Sequence, residues 1–328
     1  MPRRHLAVST DRFPMAAKFV IARGSRTEAV VVTAAVTEGS NRGRGEGVPY
    51  SRYGEGVDLV VSQIRDAASL IESGASREEL QLAMPAGAAR NALDCAMWDL
   101  ECKQQGTRAM RLAGIERPEA RLSAYTISIG SADEMYEAAR RNSSRPLLKV
   151  KLDGTSIEER IQAVRAGAPA ARLLVDANES WGAAELAANI ASCLQAGVEL
   201  VEQPLPANDD EILEAFSFPI PICADESVRT RSDLALLKRR YAAVNIKLDK
   251  CGGLTEALLL IERARAEGFQ VMVGCMVSSS LSMAPAVVAA QRADIVDLDG
   301  PLLLAADRDP PITYRDSMIE VPGAELWG

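Results

Sequence analysis

The chain carries, at residues 147–181, the stretch LLKVKLDGTSIEERIQAVRAGAPAARLLVDANESW, in which two apolar runs each end in polar side chains. Because side chains alternate between the two faces of a strand, Lys149 and Lys151 share one face of the first run. Asp176 and Asn178 share a face at the end of the second run. Taken alone, Lys-Val-Lys is also typical of an exposed edge strand. Two amines beside two oxygen ligands at successive strand ends instead indicate a base that works next to a metal ion.

Apolar runs of this kind recur after Arg121 at spacings of about 22 to 27 residues. The runs end near Tyr125, Lys149, Asp176, Glu202, Asp225, Lys247, Val273 and Asp297. Helical patterns lie between the runs, at residues 157–166, 183–196, 209–216, 231–240 and 255–267. Eight strand–helix units at this period predict a parallel barrel. The alternative is an open doubly wound sheet, which the absence of a Gly-x-Gly-x-x-Gly sequence after a strand disfavours.

Residues 1–120 do not follow this period and predict a separate α+β domain. Apolar and β-branched runs come first, and a helical pattern with a capping box at residues 76–79 follows from Val57. Residues 305–328 have also lost the period, and we expect them to return to the first domain. The barrel is then predicted at residues 121–304.

The composition is that of an ordinary soluble globular protein, with 48% hydrophobic and 25% charged residues among 328. The net charge is −8 and no long basic run occurs. Nucleic acid and anionic membranes are therefore disfavoured as partners. A small ligand in a locally charged pocket remains open, and so does assembly into a homo-oligomer.

Cysteine and histidine usage excludes several kinds of site. None of the six cysteines belongs to a Cys-x-x-Cys pair, which favours buried thiols in a reducing compartment over a disulfide framework. The single histidine, His5, disfavours a histidine-based triad or zinc site. We expect no signal peptide and no membrane span, since neither an apolar leader nor a run of about 18 apolar residues occurs. The expected location is the cytoplasm.

Three carboxylates follow three consecutive predicted barrel strands. The strand C-termini of such a barrel meet at one end, so Asp176, Glu202 and Asp225 are expected to converge there. Each alone is typical of a helix cap or a solvated loop. Together, in a low-dielectric mouth, they would repel one another strongly. A hard divalent cation would relieve that repulsion, and an all-oxygen set of ligands predicts magnesium.

Two lysines flank the predicted metal site in sequence. Lys151 ends the strand before the metal strands, and Lys247 ends the strand after them. On a closed barrel this arrangement predicts amines on opposite sides of a bound substrate. A nearby dication lowers the pKa of a lysine, so a neutral amine could take a proton from carbon. Removal on one face and delivery on the other is the chemistry of racemisation or epimerisation. The alternative for Lys247 is a surface lysine at a strand end.

Five motifs resemble those of the enolase superfamily, in its muconate-lactonizing subgroup, and they occur in the expected order. The motifs are KVK at 149–151, VDAN at 175–178, VEQP at 201–204, ADES at 224–227 and NIKLDKCGGL at 245–254. The resemblance implies an α+β capping domain over a modified TIM barrel, (β/α)7β. It also implies one Mg²⁺ ion and chemistry through an enolate intermediate, for which enolase-superfamily sites use a lysine or histidine base.

Further stretches resemble the dipeptide epimerases of this subgroup. They are IARGSR at 21–26, YSRYGE at 50–55, PAGAARNALD at 85–94 and DLDGP at 297–301. This resemblance implies Mg-dependent epimerisation of L-Ala-D/L-Glu dipeptides by 1,1-proton transfer, in murein peptide recycling. Other dipeptides, N-succinylamino acid racemisation and o-succinylbenzoate synthesis remain open as alternatives. A barrel that only binds a ligand is a further alternative, although a binder has no use for opposed bases.

The resemblance assigns roles to the residues of the barrel. Asp176, Glu202 and Asp225 would hold magnesium, which binds the carboxylate of the residue being epimerised. Lys151 and Lys247 would exchange its α-proton. Lys149 would stabilise the enolate or lower the pKa of its neighbour. Asn178 and Asp249 would orient a lysine or the metal ligands.

The resemblance also predicts how the rest of the dipeptide is held. Asp297 and Asp299 would bind the free ammonium group, although Asp-Gly-Pro is turn-forming on its own. Arg23 or Arg26 would pair with the glutamate side-chain carboxylate. Thr126 is expected to touch the peptide backbone. Tyr50, Arg52 and Tyr53 are expected in a lid, and Cys275 and Met276 in an apolar part of the pocket.

Overall fold

The computed structural model of the protein describes residues 3–328, in which strands and helices form a barrel and a capping domain. The strands are β1 (His5–Ile21), β2 (Gly24–Glu38), β3 (Asn41–Gly47), β4 (Arg121–Leu122), β5 (Tyr125–Ile127), β6 (Leu147–Lys151), β7 (Arg172–Asp176), β8 (Val198–Glu202), β9 (Ile222–Ala224), β10 (Ala243–Ile246), β11 (Gln270–Gly274), β12 (Ile295–Asp297), β13 (Tyr314–Arg315) and β14 (Met318–Ile319). The α-helices are α1 (Val57–Asp66), α2 (Ala68–Glu72), α3 (Arg77–Ala83), α4 (Ala88–Gln105), α5 (Ala109–Leu112), α6 (Ala132–Arg141), α7 (Ile157–Gly167), α8 (Leu186–Gln195), α9 (Leu234–Leu237), α10 (Leu248–Cys251), α11 (Leu254–Ala266) and α12 (Ser280–Ala290). Short 3₁₀-helices occur at Ser51–Tyr53, Glu211–Ala215, Arg231–Asp233 and Gly300–Leu303.

Strands β5 to β12 form one parallel sheet in sequence order. Its two edges meet just before β5, where Ala124 N donates to Val296 O at 2.9 Å and Leu298 N donates to Ser123 Oγ at 2.9 Å. The predicted (β/α)7β barrel is therefore confirmed, and the open doubly wound sheet is wrong. The last strand, β12, is followed by a 3₁₀-helix instead of an eighth α-helix.

The alternation in β6 shows why the barrel carries its chemistry at one end. Leu148 and Val150 point outward into the main core between sheet and helices, whereas Leu147 belongs to the apolar cluster inside the barrel. Burial of each such side chain contributes about 1.5–3 kcal/mol. The inward row continues from Leu147 to Lys149 and Lys151, so the same face changes from apolar filling to amines at the C-terminal end.

The capping domain consists of the antiparallel sheet β1–β2–β3 packed on α1 to α4. Glycines alternate along one face of β3, and a Cβ atom at Gly45 would overlap the backbone of Ala92 in α4. Only glycine permits this approach of strand to helix. The close packing directs other side chains of α4, including Asn91 and Asp94, against the barrel.

The C-terminal segment contacts both domains. β13 pairs with β14 and β14 pairs with β4, so the start of the predicted barrel segment joins the tail and not the barrel sheet. Farther on, Trp327 Nε1 donates to Arg44 O at 2.9 Å, and Arg308 Nη2 donates to Glu46 Oε2 at 2.7 Å. The contacts of Trp327 and Arg308 are in keeping with the division that we propose, with residues 1–120 and 305–328 in the capping domain and 121–304 in the barrel, whereas the pairing of β14 with β4 joins part of the tail to the barrel segment.

One predicted helix has a different form in the structure. Residues 209–216 were expected to form an α-helix but form the 3₁₀-helix Glu211–Ala215, because Pro219 and Pro221 fix an extended backbone soon afterwards. No helix within residues 3–328 combines the length and the apolar character needed to cross a membrane.

Candidate active site

The three predicted metal ligands converge at the C-terminal end of the barrel. Asp176 ends β7, Glu202 ends β8 and Asp225 directly follows β9. Their exposed fractions are 0%, 1% and 2%. One carboxylate oxygen of each lies within 4.8 Å of the corresponding oxygens of the other two. This spacing allows a single cation to contact all three.

The electrostatics of the cluster favour a cation. Burial, with a contribution from Asp176, raises the pKa of Glu202 to about 7. Burial acts in the same direction on Asp176, but the amines of Lys151 and Lys149 outweigh it and hold that pKa below its usual range. Glu202 Oε2 has no hydrogen-bond partner, although Lys149 Nζ lies 2.7 Å away. A donor set of carboxylate oxygens fits Mg²⁺.

Lys149 lies at the centre of the acidic groups. Its Nζ is 2.7 Å from Glu202 Oε2, 2.7 Å from Asp297 Oδ2 and 3.1 Å from Asp176 Oδ2. Lys151 Nζ donates to the same oxygen of Asp176 at 2.5 Å. Burial lowers the pKa of Lys149, but the surrounding carboxylates outweigh it and hold that pKa well above its usual value.

Lys247 approaches the cluster from the other side. Its Nζ donates to Asp225 Oδ2 at 2.7 Å and lies 4.0 Å from Glu202 Oε1. Strands β6 and β10, which end at Lys151 and just before Lys247, are separated by β7, β8 and β9. On a closed eight-stranded barrel this separation places the two amines on opposite walls, with the carboxylates between them.

Sequence reasoning missed Lys250. This buried lysine donates to Asp225 Oδ1 at 2.6 Å, to Asn245 O at 2.9 Å and to the carbonyl of Asp225. A signal was available, because Lys250 follows Lys247 by three residues in a helical turn and so shares its side of α10.

Asp249 contacts the capping domain, and its predicted role of orienting a lysine or a metal ligand stays a prediction. Its Oδ1 accepts from Val48 N and from Asn91 Nδ2, both at 2.8 Å, so it joins barrel to capping domain. In the turn of α10, Asp249 lies between Lys247 and Lys250, which both contact Asp225. Burial raises the pKa of Asp249 to about 7.

Asp249→Asn is expected to stabilise the protein increasingly as the pH rises from 5 to 8. The folded-state pKa exceeds the unfolded value near 4, so ionisation above pH 4 favours the unfolded chain. Asparagine can keep both hydrogen bonds without this penalty. The difference in unfolding free energy from urea titrations should grow by more than about 1 kcal/mol, since one pKa unit corresponds to about 1.4 kcal/mol. A difference that stays constant with pH would contradict this expectation.

Asp297 and Asp299 lie at the mouth beside the lysines. Asp297 Oδ1 is buried without a hydrogen-bond partner, whereas its Oδ2 accepts from Lys149. Asp299 Oδ2 accepts from Thr126 N at 2.7 Å, so the N–H of Thr126 is already used. Burial and the neighbouring Asp297 raise the pKa of Asp299 to about 6.

Asn178 faces the same cavity. Its backbone N donates to Asp176 Oδ1 at 2.9 Å, while its side-chain Oδ1 is buried without a partner. Its φ is +45°, which asparagine adopts more readily than most residues.

The cavity has a volume of about 460 Å³ and is lined by both domains. This volume is in the range of small-molecule sites. The barrel supplies the lysines and acids, and Cys275, Met276 and Leu303 form an apolar wall. Tyr50 and Tyr53 of the capping domain also line the cavity, where a lid was expected, and Tyr50 packs with Met276 in one apolar cluster.

The two candidate arginines of the capping domain differ in their partners. Arg23 Nη2 donates to Glu226 Oε1 at 2.6 Å and to Tyr50 Oη at 2.9 Å, and its Nη1 lies 3.1 Å from Glu179 Oε2. Arg26 lies over the ring of Tyr50, at 5.1 Å from the centroid, and makes no salt bridge within residues 3–328. Both arginines line the cavity.

Comparison with known families agrees with this architecture. Residues 3–114 match the N-terminal domain of the mandelate racemase / muconate lactonizing enzymes, and residues 132–325 match the enolase C-terminal domain-like family. The chain belongs to the enolase superfamily.

Curated relatives of this enolase-superfamily chain are epimerases and racemases. It is 49% identical to L-Ala-D/L-Glu epimerase of Escherichia coli K12, over 95% of this chain and 98% of the relative. It is 46% identical to N-acetyl-D-glutamate racemase of a Pseudoalteromonas species, over 87% and 91%. The chain is accordingly an isomerase of the racemase and epimerase kind.

Solved structures show the same fold. An enolase family member from Agrobacterium tumefaciens with homology to dipeptide epimerases, with sodium and L-Ala-L-Glu bound, has a TM-score of 0.98 and 48% identity over 99% of this chain and 100% of its own. A dipeptide epimerase from Cytophaga hutchinsonii, complexed with Mg and D-Ala-L-Val, has a TM-score of 0.91 and 25% identity over 98% and 94%.

Proposed function

We propose that the protein epimerises L-Ala-D/L-Glu dipeptides at the glutamate α-carbon, with Mg²⁺ as cofactor. The observation that carries this proposal is the placement of Lys151 and Lys247 on opposite walls of a cavity, beside three converging carboxylates of which Asp225 lines it. The 49% identity with an L-Ala-D/L-Glu epimerase supports the same substrate.

The two amines divide the reaction between them. One, as the neutral base, takes the α-proton from one face of the carbon, and the other, as an ammonium group, delivers a proton to the opposite face. The reverse reaction exchanges these roles, so no proton is gained or lost overall. Asp176, Glu202 and Asp225 would hold the magnesium. A bound magnesium ion would offset the charge that develops on the substrate carboxylate and lower the pKa of nearby lysines.

The remaining groups fit the other parts of the dipeptide. The unpartnered Asp297 Oδ1, beside Asp299, offers a site for the ammonium group of alanine. Of the two arginines, we assign the glutamate side-chain carboxylate to Arg26, because the guanidinium of Arg23 already pairs with Glu226 and Glu179. Thr126 is assigned to the peptide backbone through its side chain.

Asp297→Asn is expected to lower kcat/KM for L-Ala-L-Glu by about 10- to 100-fold more than for N-acetyl-L-glutamate. Hydrogen bonds to charged groups contribute about 1.5–3 kcal/mol, and only the dipeptide carries the ammonium group. The substitution also removes the contact between Asp297 and Lys149, but this loss affects both substrates alike and cancels in the ratio of their kcat/KM values. An equal loss for the two substrates would remove the ammonium assignment.

A second candidate function is racemisation of N-acetylglutamate. It is favoured by the 46% identity with N-acetyl-D-glutamate racemase and by chemistry, since N-acetylglutamate lacks only the ammonium and methyl substituents of L-Ala-Glu. One observation of the site is compatible with both substrates. Asp297 Oδ2 and Asp299 Oδ2 already accept hydrogen bonds from protein groups. These two carboxylate oxygens would therefore keep their partners if the substrate carried a neutral acyl group without an ammonium group.

A dipeptide library assayed for α-deuterium uptake in D₂O with Mg²⁺ tests the proposal. An epimerase incorporates deuterium at the α-carbon of L-Ala-L-Glu and forms the D-epimer. A binding protein incorporates none, and a syn-eliminating enzyme such as an o-succinylbenzoate synthase releases water only from a substrate with a hydroxyl group on the carbon next to the one that loses its proton. Preference for N-acetylglutamate over every dipeptide would favour the second candidate.

We extend the proposal to murein peptide recycling in the cytoplasm, as the family resemblance implies. All six cysteines are free thiols, which is in keeping with a reducing compartment.

A further inference from the structure

Glu179, in the barrel loop after β7, joins two loops of the capping domain to the barrel. Its carboxylate accepts from Arg52 Nε and Nη2, both at 2.6 Å, and lies 3.1 Å from Arg23 Nη1. It also accepts from Ala207 N at 2.8 Å. The side chain is only 8% exposed, whereas Arg52 and Arg23 are 35% and 26% exposed. A buried carboxylate therefore joins two more exposed cationic groups.

The backbone that carries Glu179 is held in an unfavourable conformation. Asn178 has φ +45° and Glu179 has φ +67°, in the left-handed region that costs about 1–2 kcal/mol for an L-residue. This conformation also turns the carbonyl of Asn178 towards Arg23, which donates to it at 2.9 Å. Such strain persists where the surroundings determine it and is concentrated at functional sites.

The network continues from Glu179 to the arginine assigned to the substrate. Arg23 contacts Glu179 through Nη1, and its Nη2 donates to the hydroxyl of Tyr50. The ring of Tyr50 in turn lies under the guanidinium of Arg26. Since Tyr50 is 8% exposed, its ring offers a fixed surface for Arg26. Arg26 itself has no carboxylate partner to hold it.

We propose that Glu179 is a positioning residue that sets the preference for an acidic C-terminal residue in the substrate. It fixes Arg23, and through Tyr50 it holds Arg26 at the cavity, while its pairing with Arg52 closes the 3₁₀ turn at Ser51–Tyr53 over the same cavity. This inference rests on the proposed function and names a determinant of its specificity.

The direction in which the preference for an anionic substrate changes distinguishes a positioning role of Glu179 from a simple effect of its charge. Removal of a negative charge beside the cavity would, by itself, strengthen binding of an anionic substrate. It would also free Arg23 and Arg52 to pair with the substrate. Loss of positioning has the opposite result, because Arg26 would no longer be held for the substrate carboxylate.

The test compares kcat/KM for L-Ala-L-Glu with that for L-Ala-L-Gln, in the full-length enzyme with Mg²⁺. Glu179→Gln is expected to lower the ratio of the two values about tenfold, the loss of about one charge-assisted hydrogen bond. The change should appear mainly in KM for L-Ala-L-Glu. Arg52→Met, which leaves the barrel loop intact, is expected to lower the ratio in the same direction, and the double variant should lose no more than Glu179→Gln alone.

Glu199→Gln is the matched control, since Glu199 forms a comparable pair with Arg172 on the outside of the barrel. Its ratio should equal that of the wild type. An unchanged or increased ratio in both Glu179→Gln and Arg52→Met would overturn the role of Glu179. A wild-type enzyme inactive on both dipeptides would instead overturn the proposed function.

Discussion

Replacement of either Lys151 or Lys247 by alanine is expected to abolish epimerisation of L-Ala-L-Glu, with a loss of at least about a thousandfold. Each amine serves one face of the α-carbon, so neither can substitute for the other. The fold should persist in both variants, because Lys149 also contacts Asp176 and Lys250 also contacts Asp225.

Exchange of the substrate α-proton for deuterium in D₂O tests the two-base mechanism more specifically than a loss of activity does. The Lys151→Ala variant should still label the epimer whose α-proton faces Lys247, and the Lys247→Ala variant should label only the other epimer. Lys238→Ala is the control, because this exposed lysine precedes β10 and lies over Phe269, which directly precedes β11, at the end of the barrel strands opposite to the site. Unchanged turnover in either active-site variant, or labelling of the same epimer by both, would refute a mechanism with two bases.

The barrel and its acidic cluster could be predicted because both depend on local periodicity. A strand that is buried on both faces appears in the sequence as an apolar run. The last residues of each barrel strand lie at the C-terminal end of the barrel, independently of the sequence elsewhere in the chain. Asp176 and Glu202, at the ends of their strands, are therefore where the sequence places them.

The capping-domain contacts could not be derived in the same way. Arg23 pairs with Glu226, 203 residues later, and no period links them. The choice between Arg23 and Arg26 as the partner of the substrate side-chain carboxylate required the positions of the protein's own carboxylates, which pair with one of these arginines and not with the other. The partners of Asp249 could not be derived for a related reason, since a single helical turn after β10 decides which of residues 249 and 250 contacts Asp225 and which contacts the capping domain.

Removal of divalent metal is expected to inactivate the enzyme, and Mg²⁺ is expected to restore it. Without a cation, three buried carboxylates within 4.8 Å of one another rely on lysines for compensation, and those lysines are then held as ammonium groups. Activity measured after chelation and after addition of Mg²⁺, Mn²⁺ or Na⁺ checks this dependence. Full turnover after exhaustive chelation would contradict it.

A thermal midpoint gives a second readout that does not depend on turnover. An ion that binds only the folded state stabilises it by RT ln(1 + [L]/Kd), which is about 2.7 kcal/mol at 100 times Kd. Mg²⁺ should therefore raise the midpoint of the wild type but not of Glu202→Gln, in which the central ligand has lost its charge. Glu199→Gln is a control from the same strand, because Glu199 lies in β8 with its side chain exposed. A Mg²⁺-dependent increase of equal size in Glu202→Gln would mean that the ion binds elsewhere, and the carboxylates of β7, β8 and β9 would then need another explanation.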